Sequence, residues 1–424
     1  MRAGPSQEEI RRHNLGVLLR TVHVRGATSR AELTTRLGLN RSTIGALTSE
    51  LAGAGLVREE LPGAGSPVAN RGAAAAPGRA GGPGGPSTPG RAGRPSLLVW
   101  PESERVCALA FAIEVDRVVA ARVGLGCQVL DRRESPRLPG RLAVDEVIAP
   151  LLAFARNAVA AMPADGRLVG CGVAVSAMIR QDDGRVRLGA YGGSAEDPLG
   201  TALAEALTGA LGQPVTVRNI ADLAVLAEHT RGVAVGCDNV VYLHGDGGVG
   251  GGIIAAGRPV TGHRGYGGEV GHMVVNPAGR ACGCGSRGCW ETEIGEHALL
   301  AAAGRDLAAG AWGREAITAV IEAAARGDAR AKAGLSQVGD WLGFGVANLV
   351  NIFNPEMVVF GDTIRDVYLA AAAQVRSRLN RVGLPACREH VRLRTAALGA
   401  DAALLGAAEL AFERLLADPL EVVA

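Results

Sequence analysis

The sequence predicts an α/β protein with two parts: a small helical domain with a wing at the N-terminus, and a larger two-lobed α/β body. Its 424 residues exceed one ordinary domain. From residue 106 onward, short apolar runs alternate with helical stretches. A segment at 62–95 contains ten Gly and seven Pro, which indicates a break between the two parts. We therefore predict units at 1–61, 62–96 and 97–424.

The charge of the chain is unevenly distributed. The net charge is +2, yet residues 1–96 hold 13 Arg and 6 Glu, so they carry +7 and residues 97–424 carry −5. A basic terminus on a mildly acidic body favours a nucleic-acid partner for the N-terminal part. No apolar stretch is long enough to span a membrane, and the first residues lack the apolar core of a signal peptide. We expect a cytoplasmic protein whose eight cysteines stay reduced.

Two helices are predicted before residue 40. Apolar residues recur at helical spacing over 8–24 and indicate the first helix. Ser29 and Glu32 form a Ser-x-x-Glu capping box that begins the second helix. Gly38 is expected to end it.

A third helix is predicted to begin at Asn40 or Arg41, directly after the short glycine turn. Two helices joined by such a turn are typical of DNA-binding domains, and the second of them enters the major groove. We expect Arg41, Ser42 and Thr43, in its exposed first turn, to lie nearest the bases or phosphates. Three short helices also occur in protein-interaction domains, but the positive charge of this segment favours DNA.

A wing is predicted after the third helix. Residues 56–60 and 96–100 have the apolar and β-branched character of short strands. Residues 62–95 between them contain no acidic residue and too little apolar surface to offset their chain entropy. We expect this segment to be disordered, either as an extended wing tip or as a linker.

The body is predicted to alternate strands and helices over 97–424. The predicted strands are 106–115, 118–125, 168–177, 214–220, 239–245 and 356–362. The predicted helices are 144–162, 198–211, 220–231, 297–309 and 336–352. This pattern indicates an α/β body, and its length suits two lobes.

One cluster of metal-ligating residues stands out in the body. His272, Cys282, Cys284 and Cys289 lie within 18 residues, in a segment rich in glycine. Three thiolates and one imidazole are a complete tetrahedral set for Zn²⁺, and a closed set of four ligands is structural. A disulfide or plain reduced thiols are the alternatives. The spacing and the reducing compartment favour zinc.

These motifs resemble the signature of the ROK family, which comprises repressors, open reading frames and kinases. The matching segments are GGEVGH at 267–272, CGCGSRGCWE at 282–291 and NIFNPEMVVFGD at 351–362. The resemblance implies an actin-like, ribonuclease-H-like sugar-kinase fold of two lobes. Family repressors carry a winged helix-turn-helix before this fold, in agreement with the pattern of residues 8–60.

The resemblance also implies a sugar site. Glu269, His272 and Glu291 stand at positions of the family signature, and Asn219 matches an asparagine of the family's Val-x-Asn-Asp segment. Carboxylates suit this task because each can accept hydrogen bonds from two adjacent hydroxyls.

The catalytic positions depart from the family pattern. Ile220 follows Asn219 where the kinases have an aspartate that serves as general base, and isoleucine cannot accept a proton. Asp222 is expected to point away from the site along its helix. The first strand, FAIEVDRVVAARV at 111–123, lacks a Gly-Thr pair for phosphate, and Gly247 replaces a threonine of the second phosphate loop, GDGGVGGGII. We therefore expect no sugar-kinase activity.

The favoured function is a transcriptional regulator, expected to be a repressor of carbohydrate-related genes. It would bind operator DNA as a homodimer or higher homo-oligomer and respond to a sugar or phosphosugar. An active sugar kinase with an accessory DNA-binding domain is the alternative. A third possibility is a regulator whose sugar pocket is vestigial and which responds to a partner protein.

Overall fold

The computed structural model describes residues 6–62, 96–137, 144–189, 199–305 and 313–423. These residues form a small N-terminal domain followed by two α/β lobes. Within the described ranges, no helix is both long enough and apolar enough to cross a bilayer.

The N-terminal domain begins with three helices, α1 (Gln7–Arg25), α2 (Arg30–Leu37) and α3 (Arg41–Gly53). Each begins after a side chain that accepts a hydrogen bond from the first turn: Ser6 for α1, Ser29 for α2 and Asn40 for α3. Gly38 follows α2 in the left-handed region, with a φ of 65°. All three predicted helices are confirmed.

An antiparallel sheet completes the N-terminal domain. Its strands, in spatial order, are β1 (Thr28–Ser29), β3 (Leu98–Pro101) and β2 (Val57–Glu60). The strands predicted on either side of the Gly/Pro-rich segment are confirmed, and they pair with each other. Residues 98–101 therefore pair with the N-terminal strands, as the predicted wing requires, although the body was predicted to begin at residue 97. The predicted linker or wing tip at 62–96 lies outside the described residues except at its ends.

The first lobe is built on a mixed sheet. Its strands are β4 (Val106–Ile113), β5 (Arg117–Gly124), β6 (Gln128–Pro136), β7 (Arg167–Val175) and β10 (Val215–Asn219). They lie in the order β6-β5-β4-β7-β10, in which β4 to β6 are antiparallel and β7 and β10 run parallel to β4. Helices α4 (Val144–Ala160) and α5 (Leu199–Leu211) cover one face. A hairpin of β8 (Ala177–Ile179) and β9 (Val186–Gly189) follows β7.

The second lobe repeats this topology. Its sheet has the order β13-β12-β11-β14-β15, made of β11 (Val240–Asp246), β12 (Gly248–Ala255), β13 (Arg258–Pro259), β14 (Met357–Phe360) and β15 (Arg392–Thr395). Its helices are α7 (Trp290–Ile294), α8 (Glu296–Ala302), α9 (Arg314–Ala325), α10 (Ala329–Phe353), α11 (Asp362–Ala370), α12 (Ala372–Val382) and α13 (Pro385–Arg388). Two lobes that share one strand order form the actin-like fold that was expected.

A pair of helices lies between the two sheets. Helix α6 (Ile220–Thr230) packs on β11 and β12 of the second lobe, whereas α14 (Ala402–Ala417) packs on β4 and β7 of the first. Glycines permit this close packing: a Cβ on Gly172 would lie 2.0 Å from the Ala407 carbonyl oxygen, and one on Gly406 would lie 1.8 Å from that of Leu223. A short helix, α15 (Pro419–Val423), follows. The α6–α14 pair therefore joins the lobes.

The predicted strands of the body are present, and so are its predicted helices, except that the helix predicted at 297–309 ends at Ala302 and residues 306–309 lie outside the described residues. The prediction also missed several elements. The glycine run at 248–255 was expected to be a loop and instead forms β12, because pairing with β11 compensates for its low strand propensity. Strand β6 was missed because its side chains are mostly exposed and show no apolar alternation.

Candidate functional site

The structure brings the sequence-predicted sugar and metal residues into one cleft between the lobes. The cleft has a volume of about 630 Å³, and its lining includes Asn219, Glu269, His272 and Glu291. Cys282 and Cys284 border the same space. A cavity of this size with several convergent polar groups is large enough for a small polar ligand such as a monosaccharide.

The four candidate metal ligands converge. One ligand atom from each of His272, Cys282, Cys284 and Cys289 lies within 4.8 Å of the others. The Cys284 and Cys289 sulfurs are 3.6 Å apart, and the Cys282 sulfur lies 3.6 Å from His272 Nδ1. Ligands about 2.3 Å from a tetrahedral ion would be about 3.8 Å apart, so the set fits such an ion closely. All four cysteine and histidine side chains point at one centre, and the cysteines are free of disulfides.

The loop that carries these ligands is shaped by glycines and anchored by a tryptophan. Gly285 and Gly288 have φ values of 90° and 70°, which disfavour any other residue there. The indole of Trp290, fully buried next to Cys289, donates from Nε1 to the Trp341 carbonyl oxygen on α10 at 2.9 Å. The loop is therefore anchored at the end that carries Cys289.

The Glu291 carboxylate is engaged with the metal-ligand set. Its Oε1 accepts a hydrogen bond from the Cys282 thiol at 2.9 Å and lies 3.4 Å from His272 Nδ1. A bound metal would convert Cys282 to a thiolate, which has no proton to donate. Glu291 would then be free to turn into the cleft.

Asn219 and Ile220 mark the point where α6 begins at the cleft. The Asn219 side chain caps the helix, because its Oδ1 accepts from the Ala221 N–H at 2.7 Å while its Nδ2 donates to the Ala177 carbonyl oxygen at 3.0 Å. Ile220 lines the cleft but is only 2% exposed. The position expected to hold a general base therefore presents an apolar side chain.

Asp222 of α6 lies close to one of the predicted sugar-site residues. It does not line the cleft, but its carboxylate lies beside Gly268 and close enough to Glu269 for the two charges to interact. Burial, and then the Glu269 charge, raises the pKa of Asp222 to about 7. Burial, and then Glu291, raises the pKa of Glu269 to about 7. Helix α6 thus places the Asp222 carboxylate near Glu269, and residue spacing alone could not predict this proximity.

A second cluster of carboxylates, which the sequence reasoning missed, lies where the first-lobe and second-lobe hairpins meet. Oxygens of Glu114, Asp116 and Asp246 lie within 4.8 Å of one another. Asp246 accepts from the Val115 backbone N–H at 3.0 Å and so connects β11 to the end of β4. The signal available in the sequence was an acidic residue at each of two predicted strand ends.

Gly247 forms the turn beside this cluster. Its φ is 67°, and a Cβ there would lie 2.9 Å from Val115 Cγ2. A threonine at this position would be strained and would collide with the first lobe as the lobes now lie. Glycine, rather than the threonine that the family resemblance implies, therefore fits the close approach of position 247 to Val115.

We predict that Asp246→Asn stabilises the protein at pH 8 and much less at pH 5. Burial, and then neighbouring acidic groups, raises the pKa of Asp246 to about 6 and that of Glu114 to about 7. The folded state therefore binds more protons than the unfolded state between about pH 4 and 7, so these carboxylates oppose folding increasingly as the pH rises through that window. Neutralising one should add on the order of 1–3 kcal/mol at pH 8.

Calorimetric melting at pH 5 and pH 8 measures this effect. Asp165→Asn is the control, because Asp165 is exposed and is paired with exposed Arg105 at the surface. An equal rise in melting temperature at both pH values, or none at pH 8, would contradict the prediction.

The predicted DNA-contacting residues lie at the exposed start of α3. Arg41 and Ser42 are exposed and Thr43 is partly so. The Ser42 hydroxyl donates to Asn40 Oδ1 at 2.7 Å, which also accepts from the Thr43 N–H at 2.8 Å. Among the described residues no carboxylate pairs with Arg41, in contrast to the Arg30 guanidinium, which is bound to Glu59 of β2 at 2.6 Å.

Two lobes of one topology, a polar cleft between them and a Cys₃His cluster at its edge define a protein of the sugar-kinase-like class with an added N-terminal domain. A model of the ROK family matches residues 116–414. The chain belongs to the ROK family.

Comparison with known proteins gives relatives of two kinds. The chain is 25% identical over 417 residues to a xylose repressor from Bacillus subtilis, covering 97% of each protein. It is 32% identical over 250 residues to a glucokinase from Halalkalibacterium halodurans, covering 56% of this chain and 74% of that protein. A solved ROK-family transcriptional regulator, described as a homologue of the Escherichia coli Mlc protein, superposes with a TM-score of 0.73 at 25% identity, covering 98% of this chain and 99% of the other.

Proposed function

We propose that this protein is a transcriptional repressor whose N-terminal domain binds operator DNA and whose cleft binds a sugar that weakens this binding. The observation that carries the proposal is the extent of similarity. The match to the xylose repressor includes the N-terminal domain, whereas the match to the glucokinase covers little more than half of the chain. The catalytic positions described above support the same choice.

The N-terminal domain has the parts of a winged helix-turn-helix. Helix α3 follows α2 after a glycine turn, the sheet of β1 to β3 forms the wing, and Arg41 at the start of α3 has an unpaired positive charge among the described residues. In such domains the second helix of the pair contacts the major groove. We propose that a homodimer presents two of these helices to a pseudo-palindromic operator.

The Cys₃His cluster suits Zn²⁺. His272, Cys282, Cys284 and Cys289 would hold the ion, and four protein ligands leave it no open position, so its contribution would be structural. The ion would fix the loop from which Glu291 and His272 reach the cleft. It would also remove the thiol proton that now occupies Glu291.

The effector is proposed to be a monosaccharide or its phosphate ester. Glu269 and Glu291 offer carboxylate oxygens to vicinal hydroxyls, and Asn219 adds an amide at the other side of the cleft. Pentoses and hexoses are the first candidates, in view of the xylose repressor and glucokinase relatives.

We predict that Glu269→Ala leaves operator binding within about threefold of the wild type but abolishes the response to sugar. Removal of the carboxylate takes away hydrogen bonds to the ligand, whereas α3 is untouched. Arg41→Ala should do the reverse and weaken operator binding by on the order of tenfold, since one lost base or phosphate contact costs about 1–3 kcal/mol.

The measurement is operator affinity by fluorescence anisotropy, with DNA first selected from random fragments by the protein itself. Xylose, glucose and their phosphate esters are added in turn at fixed salt. Glu315→Ala, exposed on α9, and Arg105→Ala, exposed in the body, are the matched controls. If Arg41→Ala bound the selected DNA as tightly as the wild type, or Glu269→Ala responded to sugar normally, the corresponding assignment would be wrong.

A further inference from the structure

Helix α6 connects the cleft directly to the N-terminal domain. Its N-cap, Asn219, lines the cleft, and its C-cap, Arg231, contacts the C-terminal end of α1. Eleven helical residues separate these caps, which is about 16 Å of rigid helix. A displacement at one end of such an element is transmitted to the other end.

The Arg231 side chain forms the contact with α1. Its NH2 group donates to the His23 carbonyl oxygen at 3.1 Å, and NH1 donates to that of Val24 at 3.3 Å. NH1 also lies 3.4 Å from the carbonyl oxygen of Gly126 in the first lobe. Carbonyls in the last turn of a helix lack intrahelical partners, so a cation there satisfies them and complements the helix dipole. Arg231 therefore ties α1 to α6.

The same guanidinium is bound to α14. Arg231 Nε donates to Glu409 Oε1, and the other carboxylate oxygen of Glu409 lies 3.2 Å from His23 Nε2. The Gly126 N–H donates to His23 Nδ1 at 2.9 Å, which leaves the ring proton on Nε2 to face Glu409. His23 is fully buried, and Glu409 is 7% exposed. Three helices, α1, α6 and α14, thus meet in one buried polar joint.

This joint lies at the boundary where the lobes would move. Helix α6 is packed on the second-lobe sheet and α14 on the first, so a change in the angle between the lobes must slide one helix along the other. Arg231 projects from the end of α6, and Glu409 projects from α14. Such sliding would separate or rotate the Arg231–Glu409 pair, and it would displace the α1 carbonyl groups that Arg231 binds.

We propose that Arg231 and Glu409 are the coupling residues that convert ligand binding in the cleft into a change in the position of the DNA-binding domain. This proposal rests on the proposed function and names the joint through which it is regulated. Arg231 is a positioning residue, because it lies outside the cleft lining and acts through its contacts with Glu409 and α1. Its removal should reduce the coupling between the two sites while leaving each site able to bind.

The principal variant is Arg231→Lys, since lysine keeps a positive charge beside Glu409 but lacks the planar fork that reaches several carbonyls. Arg231→Gln would leave the buried Glu409 carboxylate with His23 but without a cation beside it, so this variant serves only as a second one. Arg12→Gln is the matched control: Arg12 also joins α1 to the body, through Asp418 at 3.2 Å, but does not contact α6.

Each protein is titrated with its selected DNA fragment, without and with xylose, glucose or their phosphate esters, and sugar binding is checked separately by the rise in melting temperature. We expect the sugar to weaken wild-type DNA binding at least about fivefold. For Arg231→Lys, the DNA affinities measured without and with sugar should agree within about twofold. The sugar-induced rise in melting temperature should be retained. Hydrogen exchange of amides 22–26 should respond to sugar in the wild type and not in the variant.

The outcomes separate the coupling from the proposed function. A wild type that responds, with an Arg231→Lys protein that responds equally in DNA affinity and in exchange, would overturn the coupling alone. An equal loss of response in Arg12→Gln would also overturn it, because any contact between α1 and the body would then suffice. A wild type that binds no DNA, or whose DNA affinity no sugar changes, would overturn the proposed function and the coupling with it.

Discussion

Sugar-dependent release of ADP from ATP should remain at least about 10⁴-fold below the roughly 10 s⁻¹ that is typical of enzymes. Ile220 stands where the family resemblance implies a general base, and loss of a positioned base costs about 10² to 10⁴ in rate by itself. The carboxylates of Glu114, Asp116 and Asp246 add a second obstacle, because they lie together beside the second phosphate loop. Ionised carboxylates gathered there would repel the phosphates of ATP unless a cation lay between them.

The assay couples ADP release to NADH oxidation across a panel of pentoses, hexoses and amino sugars, with magnesium and zinc present. The Halalkalibacterium halodurans glucokinase is the positive control. Ile220→Asp should not restore turnover, and neither should Ile220→Asp combined with Asp246→Asn, since Gly247 and the first strand still lack their phosphate contacts. Turnover near 1–10 s⁻¹ by the unmodified protein would establish the kinase alternative instead.

We expect loss of the metal to destabilise the second lobe strongly. Cys289→Ser should remove close to one equivalent of zinc per chain and lower the free energy of unfolding by several kcal/mol, because structural zinc sites contribute directly to folding. Cys289 is fully buried and immediately precedes the Trp290 anchor, so the whole loop loses its fixed end. The sugar-induced rise in melting temperature should disappear, since His272 and Glu291 are held by the same loop.

Elemental analysis and calorimetry check this prediction. Cys387→Ser is the control, because Cys387 is a free cysteine of α13 outside the cluster and its replacement should leave the zinc content unchanged. A Cys289→Ser protein that keeps its full zinc content would show that the ion binds elsewhere. Wild-type protein prepared without chelators that contains no zinc would exclude a zinc site altogether.

Local features of the fold could be predicted because each depends on residues near one another in sequence. Ser29 and Asn40 cap helices through hydrogen bonds to residues three positions away. The metal ligands lie within 18 residues, so their spacing alone indicated a common centre. The sugar residues were found through family resemblance, and the structure places all four in one cleft. Residue spacing alone could not have predicted that Asn219 and Glu269 line the same cleft.

The features that were missed depend on contacts between distant segments. Strand β3 was predicted as the second strand of the wing, whereas its pairing with β1 on its other side was not. Strand β12 consists largely of glycine, which disfavours strands, and only its pairing with β11 fixes it. Asp222 was expected to point away from the site, and it does not line the cleft, but helical periodicity could not show that Glu269 lies near it.

The amino-acid sequence by itself determined the helices of the N-terminal domain, the candidate metal ligands and the absence of a carboxylate at position 220, since these are local properties of residue type and spacing. Only the tertiary structure decided that Glu114 and Asp246 lie side by side, and that Arg231 meets both Glu409 and α1. The residues of these clusters are more than one hundred positions apart. The electrostatic interactions between these charges become strong only when folding removes the water between them. No periodic pattern in the sequence can predict which distant charges are buried together.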